Sequence, residues 1–481
     1  MHLFASNALT SRLSSVDMDN RTPAVPAVNG DVLKLTEAEI DNMKYSYSIL
    51  IARILSSMDQ FKWMTTVVPV HMSHSYSAGM SQKSQVFQLP IQHKNEAKYE
   101  DILDVMDSYE KLLQKTFQES HDKDFDKKTF KALYKMDSLD KLGTLAFWRN
   151  RLKKTDVNGK VKGHFNSHSE FFKLIVRELI CEQAFELFNL NLEDNTPYPQ
   201  NICKASRLTK EQKMRELTSE VLDKFDVMRT GVPSESNDEL YNYSTNLTIR
   251  GLHYLQMEDT IKEGDISRII PNLKVCIPIF YAHSCLSKYL FECVDYITKV
   301  SCFLSPLDKL RVLEGSMVNL RGGQGNNIEA DLVQEHSVRN QKELIRGLGA
   351  NKSETAISAV TAAAPVIAKI CMNFDAEHNI SKKASRHSKV ISTEDMKVVS
   401  ESLRKIRPFL ITNGRKCAFR NLPSQPCSNI NLTKMDIDLD VMLGRVGRGY
   451  ISVDNEEDDD DTANVGTDNE EDEEEMPDIP L

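Results

Sequence analysis

The length, composition and charge of this chain exclude a fibrous protein, a wholly disordered protein and a small disulfide scaffold. Its 481 residues are 40% apolar and 27% charged, which is typical of soluble globular proteins. The formal charge of -10 is uneven, because residues 454–481 hold 15 Asp and Glu but no Lys or Arg, which leaves 60 basic and 55 acidic residues elsewhere. We expect one large, mildly basic domain over 31–435, a linker over 436–453 and a disordered acidic tail over 454–481.

Nine scattered cysteines bear on the cellular compartment. No two have the Cys-x-x-Cys spacing of a zinc or thioredoxin-like site. We find no secretory signal and no apolar run of the roughly 18–20 residues that span a membrane. We therefore expect reduced thiols in an intracellular protein of the nucleus or cytoplasm that is neither secreted nor bound to a membrane.

The first part of the chain combines a polar arm, a helix and two extended pieces. Residues 1–30, rich in Ser, Asn and Pro, are expected to form a disordered arm. Thr36 and Glu39 form a capping-box pattern at the start of a helix with apolar residues at helical spacing. Branched residues predict an extended stretch over 63–70 and a second, shorter one over 86–91.

Helical spacing then dominates the sequence. Helices are predicted over 98–113, 167–187 and 209–228. The second of these begins at Ser167, with Glu170 as its capping partner. Exposed loop is expected within 119–165 and at 231–237. The most apolar stretch, 266–304, is the expected core, and Pro271 and Pro278 should break it into short helices. Further helices are expected over 331–346 and 353–374. The predicted fold is therefore mainly α, one large helical domain with a few short strands.

Asp331, Glu335 and Arg339 fall on one face of a predicted helix, with His336 beside them. Two carboxylates one turn apart can chelate a divalent cation, and an imidazole can relay protons. The structural alternative is that Asp331 caps the helix and Glu335 pairs with Arg339 on its surface. Spacing favours this alternative.

Two further patterns have simple structural interpretations. His164 and His168 stand four residues apart, but no Glu follows His164 as zinc-protease chemistry requires. We interpret both as solvated histidines before a helix. The glycines at 347 and 349 match no phosphate-binding loop, and Asn351 with Glu354 predicts a helix cap.

Residues 382–420 are strongly basic and contain only three acids. Such a run can follow a phosphate backbone or act as a nuclear import signal, and the alternative is a solvated helix face. The candidate nucleic-acid contacts are Lys382, Lys383, Arg386, Lys389, Arg404, Lys405, Arg407, Arg415, Lys416 and Arg420.

Two blocks of sequence resemble a known family. Residues 325–336 read Gly-Asn-Asn-Ile-Glu-Ala-Asp-Leu-Val-Gln-Glu-His, and residues 347–357 read Gly-Leu-Gly-Ala-Asn-Lys-Ser-Glu-Thr-Ala-Ile. With Arg339 between them, they resemble domain-of-unknown-function family 6589, which occurs in animals and fungi. Glu-Gly-Asp at 263–265, Asn-Phe-Asp at 373–375 and Leu-Pro-Ile at 89–91 agree with the family as well. The resemblance extends over residues 40–435.

That family looks like a relative of transposases with an RNase H-like fold and helical insertions. The resemblance implies a degenerate RNase H-like remnant and places the last acid of a metal-binding triad at Glu335, with Asp331 or Asp265 as other candidates. An active site of this kind would use Mg or Mn. The segment Gly-Asp-Gln-Leu-Thr, typical of the family, has no counterpart here, because Gly-Asp occurs only at 30–31 and 264–265. Since two-metal catalysis needs several converging carboxylates, we expect no catalysis and no cofactor.

The leading expectation is therefore a noncatalytic, transposon-derived protein that binds DNA or RNA through residues 382–420. A second hypothesis is an interaction protein whose acidic tail holds basic partners such as histones or ribosomal proteins. A third is a surviving metal-dependent nuclease built on Asp265, Asp331 and Glu335, with His336 as a further metal ligand.

Overall fold

The computed structural model describes residues 7–15, 18–21, 28–88, 145–153, 164–190, 195–225, 237–282, 287–350, 352–378, 392–415 and 431–451. Its α-helices are α1 (Glu37–Leu55), α2 (Ser77–Met80), α3 (Leu145–Leu152), α4 (Phe165–Leu187), α5 (Arg207–Asp223), α6 (Glu239–Glu263), α7 (Ile269–Ala282), α8 (Ser287–Thr298), α9 (Pro306–Gly315), α10 (Ala330–Gly347), α11 (Glu354–Glu377), α12 (Thr393–Ile406) and α13 (Leu432–Ile451). Four 3-10 helices, Gly30–Leu33, Asp59–Thr66, Ile202–Lys204 and Ile266–Arg268, and a π-helical turn, Lys299–Phe303, complete the helical part of these residues. The fold is mainly α, as predicted.

Strands are few in the described part of the chain. β1 (Asn7–Leu9) pairs antiparallel with β2 (Val86–Gln88), and β3 (Met317–Val318) pairs antiparallel with β4 (Ile328–Glu329). β2 confirms the extended piece predicted from Val86 as far as Gln88. An RNase H-like sheet is not among these elements.

The helices enclose two hydrophobic cores. Helices α1, α3, α4, α5, α6 and α12 surround the first core, which is centred on fully buried aromatic residues such as Phe171 and Trp148. Helices α7, α8, α9 and α13 surround the second, which includes Phe280 and Val294. Burying each such side chain contributes about 1.5–3 kcal/mol. The stretch 266–304 supplies most of the second core, whereas the first comes from more distant parts of the sequence.

The start of α1 follows its sequence signal. The Thr36 hydroxyl accepts a hydrogen bond from the Glu39 amide at 3.2 Å, and the Glu39 carboxylate accepts one from the Thr36 amide at 2.7 Å. This is the predicted capping box. The same carboxylate binds the ammonium of Lys274 at 2.9 Å, so that it also ties α7 to α1.

The extended stretch predicted over 63–70 is wrong, because residues 59–66 form a 3-10 helix. Phe61, Trp63 and Met64 are buried in the first core, and the Trp63 indole donates a hydrogen bond to the Tyr198 carbonyl at 2.8 Å. Packing of these large side chains outweighs the weak strand preference of the branched residues that follow.

The apolar stretch 266–304 forms short helices, as predicted, but neither of its prolines ends a helix. Pro271 lies in the first turn of α7, where a missing amide hydrogen costs little, and Pro278 lies inside the helix. The neighbours Ile277, Ile279 and Phe280 are buried in the second core. Their burial offsets the cost of an interior proline, roughly 3 kcal/mol.

Helix α4 begins at Phe165, two residues before the predicted start, and His168 is completely buried within its first turns. His164, which is exposed, is the N-cap residue. The interpretation of both histidines as solvated residues before a helix is therefore wrong for His168. The loop expected within 119–165 contains α3, which buries Trp148 in the first core.

The linker expected over 436–453 is largely helical, since α13 runs to Ile451. Met435, Leu439 and Leu443 recur every four residues and are buried against α8 in the second core. This apolar stripe makes the segment part of the body.

The residues of the expected arm that the structure describes lie against the body. β1 pairs with β2, and the Arg12 guanidinium donates a hydrogen bond to the side chain of Asn327. The arm is therefore not free over 7–15. Some predictions lie outside the described residues: the helix over 98–113, the cap at Asn351, the loop at 231–236 and the acidic tail at 454–481.

Helices α10 and α11 confirm the predictions for 331–346 and 353–374, although Glu329, not Asp331, is the N-cap residue of α10. The two helices contact each other, and much of α11 is exposed. By length and composition the window Glu354–Cys371 could cross a membrane, and only 18% of it is buried. The expectation that no apolar run reaches this length is therefore wrong. One such helix is weak evidence for a membrane span.

Candidate functional site

Two segments that agree with the family, 263–265 and 325–331, meet in space. The Asn327 amide donates a hydrogen bond to the Lys262 carbonyl at 3.2 Å, and a β-carbon on Gly264 would lie 2.8 Å from the Asn327 side chain. Gly264 has a φ of +70°, and it ends α6 in the left-handed conformation that glycine adopts freely. The segments 263–265 and 325–331 therefore form one junction between α6 and the start of α10.

Asp265, a candidate catalytic acid, is bound by its own neighbours at this junction. Its carboxylate accepts hydrogen bonds from the Arg268 guanidinium at 2.7 Å and from the Ser267 hydroxyl at 2.6 Å. Arg268 also binds Asp259 at 2.9 Å, and Asp259 binds Arg53 at 2.6 Å. Asp265 and Arg268 are about 95% buried. The acid is thus neutralised inside an ion-pair network.

Two histidines extend this polar region. The Nδ1 atom of His71 lies 2.9 Å from the Glu263 carboxylate, and the Nε2 atom of His74 lies 3.1 Å from the Glu263 carbonyl. Gly325, with a φ of +73°, leaves room for the His71 ring, because a β-carbon there would lie 3.0 Å from it. The glycine-rich loop therefore serves close packing.

The other candidate acids stand on α10. Asp331 lies in its first turn, and Glu335 and His336 follow, all three half-buried. Burial and the nearby Arg339 lower the pKa of His336. Arg339 is close to Glu343, at 3.5 Å. Among residues within the described ranges, no three His, Cys, Asp or Glu side chains are arranged to hold a metal ion.

Arg12 joins the N-terminal segment to the junction. Its guanidinium donates hydrogen bonds to the Asn327 side-chain oxygen at 3.0 Å and to the Met317 carbonyl at 2.8 Å. Its backbone amide binds the Glu314 carboxylate. Burial lowers the pKa of Arg12, and Glu314 opposes that effect. Sequence reasoning missed Arg12, because its partners are hundreds of residues away.

A cleft of about 300 Å³ opens on the other side of the junction, between α4, α6 and β4. Phe165, Met257, Ile261 and Ile328 line its apolar part. Its polar part holds a chain of ion pairs: Glu258 binds Lys173 at 3.1 Å and Lys262 at 2.8 Å, and Lys173 binds Glu170 at 2.5 Å. The Ser169 and Tyr254 hydroxyls are 2.7 Å apart at its wall.

Two carboxylates in the cleft, those of Glu258 and Glu329, have pKa values shifted in opposite directions. Burial would raise the pKa of Glu258, but Lys173 and Lys262 outweigh it and lower that pKa. Burial raises the pKa of Glu329, whose own amide opposes the shift and whose neighbour Glu258 adds to it. A half-buried carboxylate next to another is thus a feature of this site.

The basic segment is divided by the structure. Three of its arginines bind carboxylates elsewhere in the fold. Arg404 lies 3.7 Å from Glu182, and its guanidinium carbon lies 3.4 Å from the centre of the Phe185 ring. Arg407 makes two hydrogen bonds to Glu186 at 2.6 and 2.9 Å, and Arg415 makes a two-point contact with Asp238. Lys405 is exposed on α12. The candidates Lys382, Lys383, Arg386, Lys389, Lys416 and Arg420 lie outside the described residues.

Comparison with known proteins identifies a family and nothing more specific. A family model described as "Family of unknown function (DUF6589)" matches residues 125–387, more than half of the chain. The match includes α4, α6, the junction, the cleft, α10 and α11. No curated protein and no solved structure matches the chain.

Proposed function

We infer that this chain, which belongs to the family of unknown function DUF6589, is a noncatalytic, transposon-derived protein that binds nucleic acid through its basic segment. The observation that carries this proposal is the division of the segment. Three of its arginines, Arg404, Arg407 and Arg415, form ion pairs with acids elsewhere in the fold. Most of its other cations lie in two stretches of sequence, one before and one after α12, that contain no acid.

The absence of catalysis is inferred from the environment of Asp265. A carboxylate that binds a catalytic metal has to face an open position shared with other acids. The carboxylate of Asp265 instead receives hydrogen bonds from Arg268 and Ser267. An arginine so close repels a divalent cation, and releasing Asp265 would take one of its two carboxylates from the buried Arg268, which also binds Asp259.

The binding surface is inferred from charge. Residues 379–391 contain Lys382, Lys383, Arg386 and Lys389 without an acid, and residues 416–430 contain Lys416 and Arg420 without an acid. On α12 between them, the exposed cations Lys397 and Lys405 are balanced by the exposed acids Glu394 and Glu401. The flanking stretches are therefore where phosphates would bind.

The test is DNA and RNA binding by fluorescence anisotropy at salt concentrations between about 50 and 200 mM. We expect affinity to fall steeply with salt, and the slope to become shallower by about 3 when Lys382, Lys383, Arg386 and Lys389 are changed to Ser. The matched control changes four exposed cations on and beside α5, Lys204, Arg207, Arg215 and Lys224, to Ser. Salt-independent binding, or equal losses in the two variants, would contradict the proposal.

A second candidate function concerns the acidic tail, favoured by its 15 Asp and Glu without Lys or Arg. Such a segment can hold basic partners such as histones or ribosomal proteins. Deletion of residues 454–481 separates the two proposals. If the tail holds partners, histone binding is lost. If it competes with nucleic acid for the basic segment, DNA binding strengthens.

A further inference from the structure

The cleft between α4, α6 and β4 contains one carboxylate, that of Glu329, without a direct ion-pair partner among the described residues. Within the described ranges no lysine or arginine forms an ion pair with Glu329, whereas each of the other acids in the cleft has a lysine within 3.1 Å. Glu329 is also the N-cap residue of α10, but its side chain makes no capping hydrogen bond. This carboxylate is therefore committed neither to an ion pair nor to the helix.

The lysines in the cleft are already engaged. Lys173 and Lys262 both bind Glu258, so that neither is available to an anionic ligand without breaking an existing pair. The three acids Glu170, Glu258 and Glu329 exceed the two lysines by one charge. An entering cation would bring the cleft to neutrality, while an entering anion would double its excess.

The apolar part of the cleft sets the shape of the ligand. Phe165, Met257, Ile261 and Ile328 offer contact to a flexible hydrocarbon chain, and the volume of about 300 Å³ lies at the lower end of small-ligand sites. A bare metal ion would gain nothing from these residues. An aliphatic stem that ends in a cation uses both parts, with its stem against the apolar wall and its charged end at Glu329.

We propose that this cleft binds an aliphatic amine or guanidinium, the chemistry shared by a lysine or arginine side chain and by a free diamine. The cationic end donates charge-assisted hydrogen bonds to Glu329, and the stem lies between α4 and α6. The site is separate from the basic segment, and it requires no particular nucleic-acid affinity.

Ligand-observed NMR titrations of the full chain test this site with three probes: Nα-acetyl-lysine amide, 1,5-diaminopentane and the uncharged isostere Nα-acetyl-norleucine amide. We expect saturable binding of the two amines and about tenfold weaker binding of the norleucine compound, since one charge-assisted hydrogen bond is lost. Tighter binding of the lysine amide identifies a peptide side chain as the ligand. Tighter binding of the diamine identifies a free amine.

The variant Glu329→Gln is expected to weaken amine binding about tenfold. Its control is Glu343→Gln, which makes the same change of charge at an exposed position of the same helix. If Glu329→Gln unfolds, Glu329→Asp keeps the charge but withdraws it from the stem, and it should also weaken binding. The proposal is overturned if neither amine binds, if the norleucine compound binds equally well, or if the folded Glu329 variant binds amines unchanged.

Discussion

The guanidinium of Arg268 lies 2.7 Å from the carboxylate of Asp265, three residues earlier, and both groups are buried. A second nitrogen of the same guanidinium binds Asp259, which in turn binds Arg53. This pairing decides how a candidate catalytic acid is used. Its negative charge compensates a buried positive charge and so supports the packing of the 3-10 turn after α6 against α1.

We therefore predict that Asp265→Ala destabilises the protein by about 1–3 kcal/mol, because the buried Arg268 keeps Asp259 but loses the hydrogen bond to its second carboxylate. Urea unfolding followed by circular dichroism measures the change. The control Asp223→Ala removes an exposed acid at the end of α5 and should shift stability by no more than about 0.5 kcal/mol. Equal stability of the two variants would show that Asp265 is not structurally required.

Arg12 provides a second prediction, because one guanidinium connects three distant segments. It binds Asn327 and the carbonyls of Met317 and Met80. Arg12→Lys should release residues 7–15 almost as fully as Arg12→Ala, since an ammonium cannot reach these divergent acceptors. Hydrogen exchange of β1 measures the release, and Arg21→Ala, at an exposed arginine, is the control. Retained protection in Arg12→Lys would contradict this explanation.

Local features were predictable from the sequence, and distant pairings were not. The Thr36 capping box joins residues three positions apart, and the structure contains it. His71 and Glu263 are 192 positions apart, and the Arg12 amide and Glu314 are 302 apart, so no spacing rule could find them. The failed strand over 63–70 has the same cause, because tertiary packing of Trp63 decides the local conformation there.

The candidate site was predictable in part. The resemblance singled out 263–265 and 325–331 without indicating that they touch, and the spacing of Asp331 and Glu335 correctly placed both on one helix. The partner of Asp265 lies only three residues away, but a sequence does not state whether an arginine turns inward or outward. The sequence indicated only that Glu329 belongs to a motif shared with the family. Its surroundings in the cleft could not be predicted, because they depend on Glu258, which is distant in sequence.

The contact between α4 and α12 should depend on pH. Burial raises the pKa of Glu178 and of Glu182 to about 7, although Arg404 opposes both shifts. The folded protein therefore holds protons that the unfolded chain releases near pH 4.5. The contribution of these two protonated carboxyl groups to the free energy of unfolding is complete below about pH 4.5, and it is lost as the pH rises through 7.

We accordingly predict that the free energy of unfolding falls between about pH 5 and 8, by roughly 3 kcal/mol for a buried carboxyl with this shift. Glu182→Gln should flatten this part of the curve, because an amide does not titrate. Charged groups that face the pair, Arg177, Glu186, Arg404 and Arg407, stay unchanged in that variant. The control Glu211→Gln, on α5, should keep the native slope. A Glu182→Gln curve parallel to the native one would contradict the assignment.

Helix α11 allows a comparison of two isoleucines on one helix. Ile357 is 1% exposed, whereas Ile370 is 61% exposed, with Val366 and Phe374 exposed beside it. Ile357→Ala should destabilise the α10–α11 hairpin by about 2–5 kcal/mol, because it empties a filled space. Ile370→Ala should change it by no more than about 0.5 kcal/mol, because its side chain already contacts solvent. Amide hydrogen exchange along α10 and α11 reports both changes in one experiment. A large loss of protection in Ile370→Ala would mean that this face is covered in solution, by another copy of the chain or by another part of it.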